Sequence, residues 1–163
     1  MRLVIVVMHP REAVIDALCE HTCDLAAELD HVESARLVSR RVTPDGTVLI
    51  VQRWRARARI PALLRPHLEE GLLDWTLWIE RPARGHECIW RAESTAVQMP
   101  GRCNGVMTFL PAAGNRGTCV EIRCDVAATN EGLRTIFGRL VANHWRSVAD
   151  AGARLIAARQ RGA

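Results

Sequence analysis

The chain has 163 residues, 48% apolar and 25% charged, the balance of one globular domain with a full hydrophobic core. Twenty-two basic residues against 18 acidic ones leave a net charge of +4, too small to argue for nucleic acid or an anionic membrane as partner. No apolar run approaches the roughly 20 residues that a membrane-spanning helix needs.

The N-terminal "LVIVVM" is short and runs straight into His9-Pro10-Arg11-Glu12. That pattern fits a first strand over 2–9 and lacks the longer apolar stretch and small-residue cleavage site of a signal peptide. The expected compartment is therefore the cytoplasm, where the six cysteines stay reduced. Pro10 takes a first helical position, and Ala13, Val14, Ala17 and Leu18 follow at helical spacing. A second short helix is expected over about 22–29.

Strands come next. The first covers 32–42 and ends at the turn "TPDGT". "VLIVQRWRARARI" alternates clearly: Arg53, Arg55, Arg57 and Arg59 on one face, Gln52, Trp54, Ala56, Ala58 and Ile60 on the other. "PALLRPHLEEG" breaks it. Residues 72–80, 86–97, 102–110 and 118–127 each read as strands, and their short connectors favour an antiparallel meander. From Glu131 onward apolar residues recur every three or four positions, from Leu133 through Phe137, Val141, His144, Val148 and Gly152 to Ile156. This is one long amphipathic helix, with Thr129 or Asn130 as its cap. It is the only element large enough to cover the dry face of such a sheet.

The order of strand, two short helices, six strands and long helix resembles the START-like superfamily, also known as SRPBCC or polyketide cyclase and Bet v 1-like. "HPREAVIDAL" after strand one, "GVMTFLPAAGNRGTCVEIRCDV" and the C-terminal helix carry the resemblance, which spans the whole chain as a single START-like domain over 1–163 and points to an uncharacterised bacterial branch. It implies an α+β helix-grip fold: a curved antiparallel sheet of about seven strands, two short helices after strand one, and a long C-terminal helix packed across the sheet. It also implies that an apolar molecule such as a lipid, sterol or polyketide binds beneath the helix. The superfamily has no shared catalytic set, so no catalytic residue carries over.

The residues themselves offer little chemistry. On one continuous helix Cys19 and Cys23 share a face at i and i+4 while His21 points away, so the three cannot close on one metal; a break near His21 would let two ligands converge, short of the four that a structural zinc needs. These cysteines are expected to pack as small hydrophobes, with no metal and no cofactor. The arginine face of 53, 55, 57 and 59 is expected to be solvated and to meet acidic partners such as Glu87, Glu93, Glu121 and Asp125 on neighbouring strands. There is no Gly-rich phosphate loop, no G-x-S-x-G and no H-E-x-x-H.

Five tryptophans without a tyrosine exceed what core packing calls for. Pockets for apolar ligands are lined by aromatics with a few placed polar groups. The expected lining from the strands is Gln52, Trp54, Trp75, His86, Cys88, Trp90, Met107 and Phe109. The helix adds Phe137, Leu140, Val141 and His144. Gln52, His86 and His144 would orient the polar end of the ligand. The leading reading is a binder of an apolar or amphipathic small molecule. One alternative is a cyclase- or dehydratase-type enzyme on a polyketide-like substrate, with His144 or His86 as general acid or base. Another is an interaction protein working through the arginine-rich outer strand. The partner expected is a small molecule, with a homodimer allowed and no nucleic acid.

Overall fold

The computed structural model describes residues 1–57, 71, 73–96, 101–128 and 131–162. Expectations for Arg59, for the break over 61–70 and for the cap at Thr129 or Asn130 lie outside the described residues.

The first strand, β1 (Arg2–Val7), runs into Pro10, whose carbonyl accepts the amide of Val14 at 3.1 Å and starts α1 (Arg11–Ile15). Proline suits this place because the first-turn amides have no intrahelical partner. The helix then widens into a π turn, Asp16–Glu20, closed by the His21 amide on the Asp16 carbonyl at 3.1 Å. A 3₁₀ segment, Thr22–Glu28, follows. The remaining strands are β2 (Val32–Val42), β3 (Val48–Ala56), β4 (Asp74–Arg81), β5 (Glu87–Ser94), β6 (Arg102–Ala112) and β7 (Gly117–Ala127), and α2 (Glu131–Arg161) closes the chain.

All seven strands form one antiparallel sheet in the order β1-β7-β6-β5-β4-β3-β2. Only the β1–β7 pairing departs from a plain meander. The period-2 pattern sorts the two faces. Ile50, Gln52 and Trp54 of β3, Leu77 and Ile79 of β4, Cys88 and Trp90 of β5, Met107 and Phe109 of β6, and Val120 and Ile122 of β7 are buried on the inner side. The outer side carries charges in pairs: Arg55 with Asp74 at 3.1 Å, Arg102 with Glu93 at 2.7 Å, and Arg2 and Arg123 both on Glu121 at 2.6 and 2.9 Å. Arg91 stacks over the outward Trp78 at 4.3 Å. Of the arginines read from β3, Arg53, Arg55 and Arg57 are exposed, and Arg55 makes a cross-strand ion pair with Asp74.

Helix α2 lies across the inner face. Its C-terminal half packs on the π and 3₁₀ turns, burying Val148, Ala149, Ala151 and Ile156. Gly152 permits this approach, since a Cβ there would come 3.0 Å from Leu18 Cδ2. The fold is the α+β helix-grip arrangement that the sequence implies.

Candidate functional site

Beneath α2 an aromatic group forms from three parts of the chain. Trp54 of β3 and Trp75 of β4 are register partners, so their side chains leave the same face side by side. Their rings stack at 5.9 Å with 16° between planes. His144 reaches down from α2 and stands edge-on to both, at 5.3 and 5.8 Å. Its neighbour Trp145 turns the other way along the sheet and meets Trp90 of β5 at 5.2 Å. Edge-to-face contacts of this kind add about 0.5–1.5 kcal/mol beyond area burial.

His144 Nδ1 lies 3.0 Å from His31 Nε2, a hydrogen bond in which one ring donates and the other accepts. Burial, with a smaller contribution from the charge of His31, pushes the pKa of His144 down to about 3. Burial lowers His31 as well, against the opposing pull of Asp30. Both rings are therefore neutral near pH 7, and His144 is a weak base there.

The expected polar lining behaves differently from the sequence reading at two of three positions. Gln52 is fully buried, but the fold uses its amide: Nε2 donates to Thr22 Oγ1 at 2.7 Å, and Oε1 accepts from Thr22 Oγ1 at 2.9 Å and from Trp54 Nε1 at 3.0 Å. It ties the 3₁₀ segment to β3 instead of facing a ligand. His86, just ahead of β5, is exposed, with its Nε2 3.0 Å from Arg11 Nη1. Of the three, only His144 stands among the aromatics.

Trp54, Cys88, Trp90, Met107 and Phe109 are buried on the inner face. Cys88 Sγ lies 2.7 Å from Cys19 Sγ with both thiols buried, and burial raises the pKa of the Cys19 thiol well above its ordinary value. His21 bonds Asp24 at 2.8 Å, and no cluster of three or more metal-ligating side chains occurs among the described residues. Trp75, Phe137, Val141 and His144 are half-buried and gather toward one end of the grip. Trp75 pairs with Ser94, whose amide bonds the Gly101 carbonyl, and the Phe137 ring covers Gly101. Leu140, expected in the lining, is 57% exposed: it sits a third of a turn away from the stripe of Val141, Trp145 and Val148.

Two members of the site escape the sequence reading. Trp145 falls on the i, i+4, i+7 stripe with Val141 and Val148, a spacing that identifies it. His31 reaches His144 across 113 positions, for which no local signal exists. Two buried donors stay unanswered among the described residues, Arg81 Nε and Trp90 Nε1. The indole lies flat on β6 because Gly105 makes room, a Cβ there falling 2.5 Å from Trp90 Cε2.

A separate open cleft of about 840 Å³ lies on the opposite flank of α2, toward the ends of β1 and β7. Val126, Gly138 and Ala142 supply its apolar surface, and Arg134, Arg139 and Arg146 its charge. None of the residues expected to line a ligand cavity borders this space.

The architecture matches solved structures over nearly their whole length. A protein from Thermus thermophilus superposes with a TM-score of 0.65 at 20% identity, covering 97% of each chain. The Zhui aromatase/cyclase from a Streptomyces species gives 0.65 at 12% identity, over 98% of this chain and 93% of the other. A START superfamily protein from Mycobacterium smegmatis gives 0.61 at 7% identity, over 95% and 97%. This chain has the START-like helix-grip fold. No protein-family model matches the sequence, and no curated protein matches it. At such identities the likeness establishes the START-like fold, while function has to be argued from the site.

Proposed function

We infer that this START-like protein binds an apolar or amphipathic small molecule, of lipid, polyketide or aromatic type, in the grip between the sheet and α2. The observation that carries this reading is the aromatic group under the helix, with Trp75, Phe137, Val141 and His144 half-buried and the Trp90 indole N–H without a partner among the described residues. A buried donor without a partner costs about 1–3 kcal/mol, a cost removed by a ligand oxygen placed against it. Large apolar walls with few polar groups are the ordinary make-up of a small-molecule site. Apolar ligand surface buried there contributes about 25 cal/mol per Å².

Binding is favoured over acid–base catalysis by the His144 ring itself. A base with its pKa at about 3 is far from the value that proton transfer near neutrality wants. The likeness to an aromatase/cyclase keeps a polyketide-type molecule among the ligand classes without assigning a reaction.

Tryptophan fluorescence titrated with fatty acids and with fused-ring aromatic compounds tests the reading. Saturable quenching by at least one class is expected, weakened at least tenfold by Trp75→Ala. Unchanged emission with every compound, together with native mass spectrometry showing no retained small molecule, overturns it.

A further inference from the structure

The cleft beside the N-terminal half of α2 belongs to neither the aromatic group nor the core. Thr135, Arg139, Ala142 and Arg146 follow one another at i, i+4, i+7 and i+11 and form one stripe along the helix. The stripe faces the end of β7, where Val126 and Asp125 form the opposite wall. Gly138 lies next to Arg139 and leaves the helix surface low there, with nothing within 4 Å of where a Cβ would stand. The volume of about 840 Å³ falls within the range of small-molecule sites.

The charges in this space do not cancel. Arg134 is taken by Glu131 one turn earlier. Arg146 leans on the Asn143 side-chain oxygen at 3.4 Å, a weak contact, and neither Arg139 nor Arg146 has an ion pair among the described residues. The one carboxylate on the facing wall, Asp125, is not bonded to either of them. On the outer sheet face Arg2, Arg55, Arg102 and Arg123 have acidic partners, while Arg53 has no ion pair among the described residues. Guanidinium groups left free over a concave, partly apolar surface suit the oxygens of phosphate or carboxylate, which they hold through paired N–H bonds. The walls focus that field more than a flat surface would.

We propose that this cleft is a second binding site, distinct from the grip, for a ligand that joins an anionic phosphate or carboxylate group to a small apolar body. The anion sits between Arg139 and Arg146, and the apolar part rests on Val126, Gly138 and Ala142. The anionic group belongs either to a free small molecule or to a lipid headgroup at a membrane surface.

Phenyl phosphate, followed by amide shifts in ¹H–¹⁵N spectra, tests the site in solution. Saturable shifts at Val126, Gly138, Ala142 and Asn143 are expected. Phenol at the same concentrations leaves them in place, and the double variant Arg139→Gln, Arg146→Gln weakens the binding at least tenfold. Both arginines are exposed, so the variant keeps the fold, and the wild-type shifts locate the probe without any substitution. Co-sedimentation with phosphatidylglycerol vesicles, and not with phosphatidylcholine vesicles, assigns the headgroup source if the same double variant abolishes it. Absence of both responses, or binding undiminished in the double variant, overturns the proposal. Tryptophan quenching by the apolar probes of the grip stays unchanged in this variant, so each site stands or falls by its own readout.

Discussion

The two halves of α2 share one helix and live in different surroundings. Past Trp145 the helix is locked: Val148, Ala149 and Ala151 are buried, and Gly152 lets the backbone close on Leu18. Before His144 its described apolar side chains are less completely covered, with Phe137 and Val141 partly open and Leu140 exposed. The C-terminal half uses its apolar stripe to hold the fold together. The N-terminal half leaves apolar and cationic side chains available on its two flanks, and the proposed sites lie on them. The difference teaches that one amphipathic helix can be locked over half its length and less packed over the rest, and both proposed sites lie on the less packed half.

That contrast can be broken most directly at its pivot. Trp145→Ala removes a buried indole that meets Trp90 and His144, and a loss of about 3–5 kcal/mol is expected in urea unfolding. A loss below about 1 kcal/mol would mean that the locked half does not begin there. Gly105→Ala comes next. Its methyl meets Trp90 and the Arg123 carbonyl at 2.5–2.6 Å, and displacing them is expected to cost about 1–3 kcal/mol. Trp90 fluorescence should shift with it.

The pH response sharpens the comparison further. His144 is held neutral with a pKa of about 3, whereas the unfolded ring takes up a proton near 6.5. The unfolded state therefore binds more protons between these values, and folding stability falls as the pH drops below about 6.5. The expected slope approaches about 1.4 kcal/mol per pH unit for this ring. His31, shifted in the same direction, adds to it. Urea midpoints measured from about pH 7.5 down to about pH 5 check this, and His144→Phe should flatten the curve. The smallest effect belongs to Leu140→Ala, a change on the open half that is expected to alter stability by no more than about 0.5 kcal/mol. A loss of about 2 kcal/mol would show Leu140 to be covered in solution, and the contrast between the halves would disappear.

The strands were most legible where they alternate, as in β3, where Ile50, Gln52 and Trp54 turn in while Arg53 and Arg55 turn out. Spacing also placed α2 and its buried face from Val148 to Ile156. The site was harder to read. Alternation assigned Gln52 to the inner face, but only the contact with Thr22 reveals that its amide is satisfied inside the protein. His86 has inner-face parity and its carbonyl still accepts the Phe109 amide at 2.7 Å, yet its ring is exposed beside Arg11, at the end of the sheet where α1 begins. Leu140 shows the same limit on a helix, where one position is a turn of about 100° and the edge of a stripe is ambiguous.

Taken alone, the sequence determined the order of elements, the faces of the strands and the length of the last helix, since these follow from periods of 2 and 3.6 in a single chain. Only the tertiary structure decided that His31 meets His144, that Cys19 meets Cys88, and that two arginines of α2 stand beside β7 without an ion pair among the described residues. Such meetings depend on how a twisted sheet and a straight helix are superposed, and that geometry is written in no local stretch of residues.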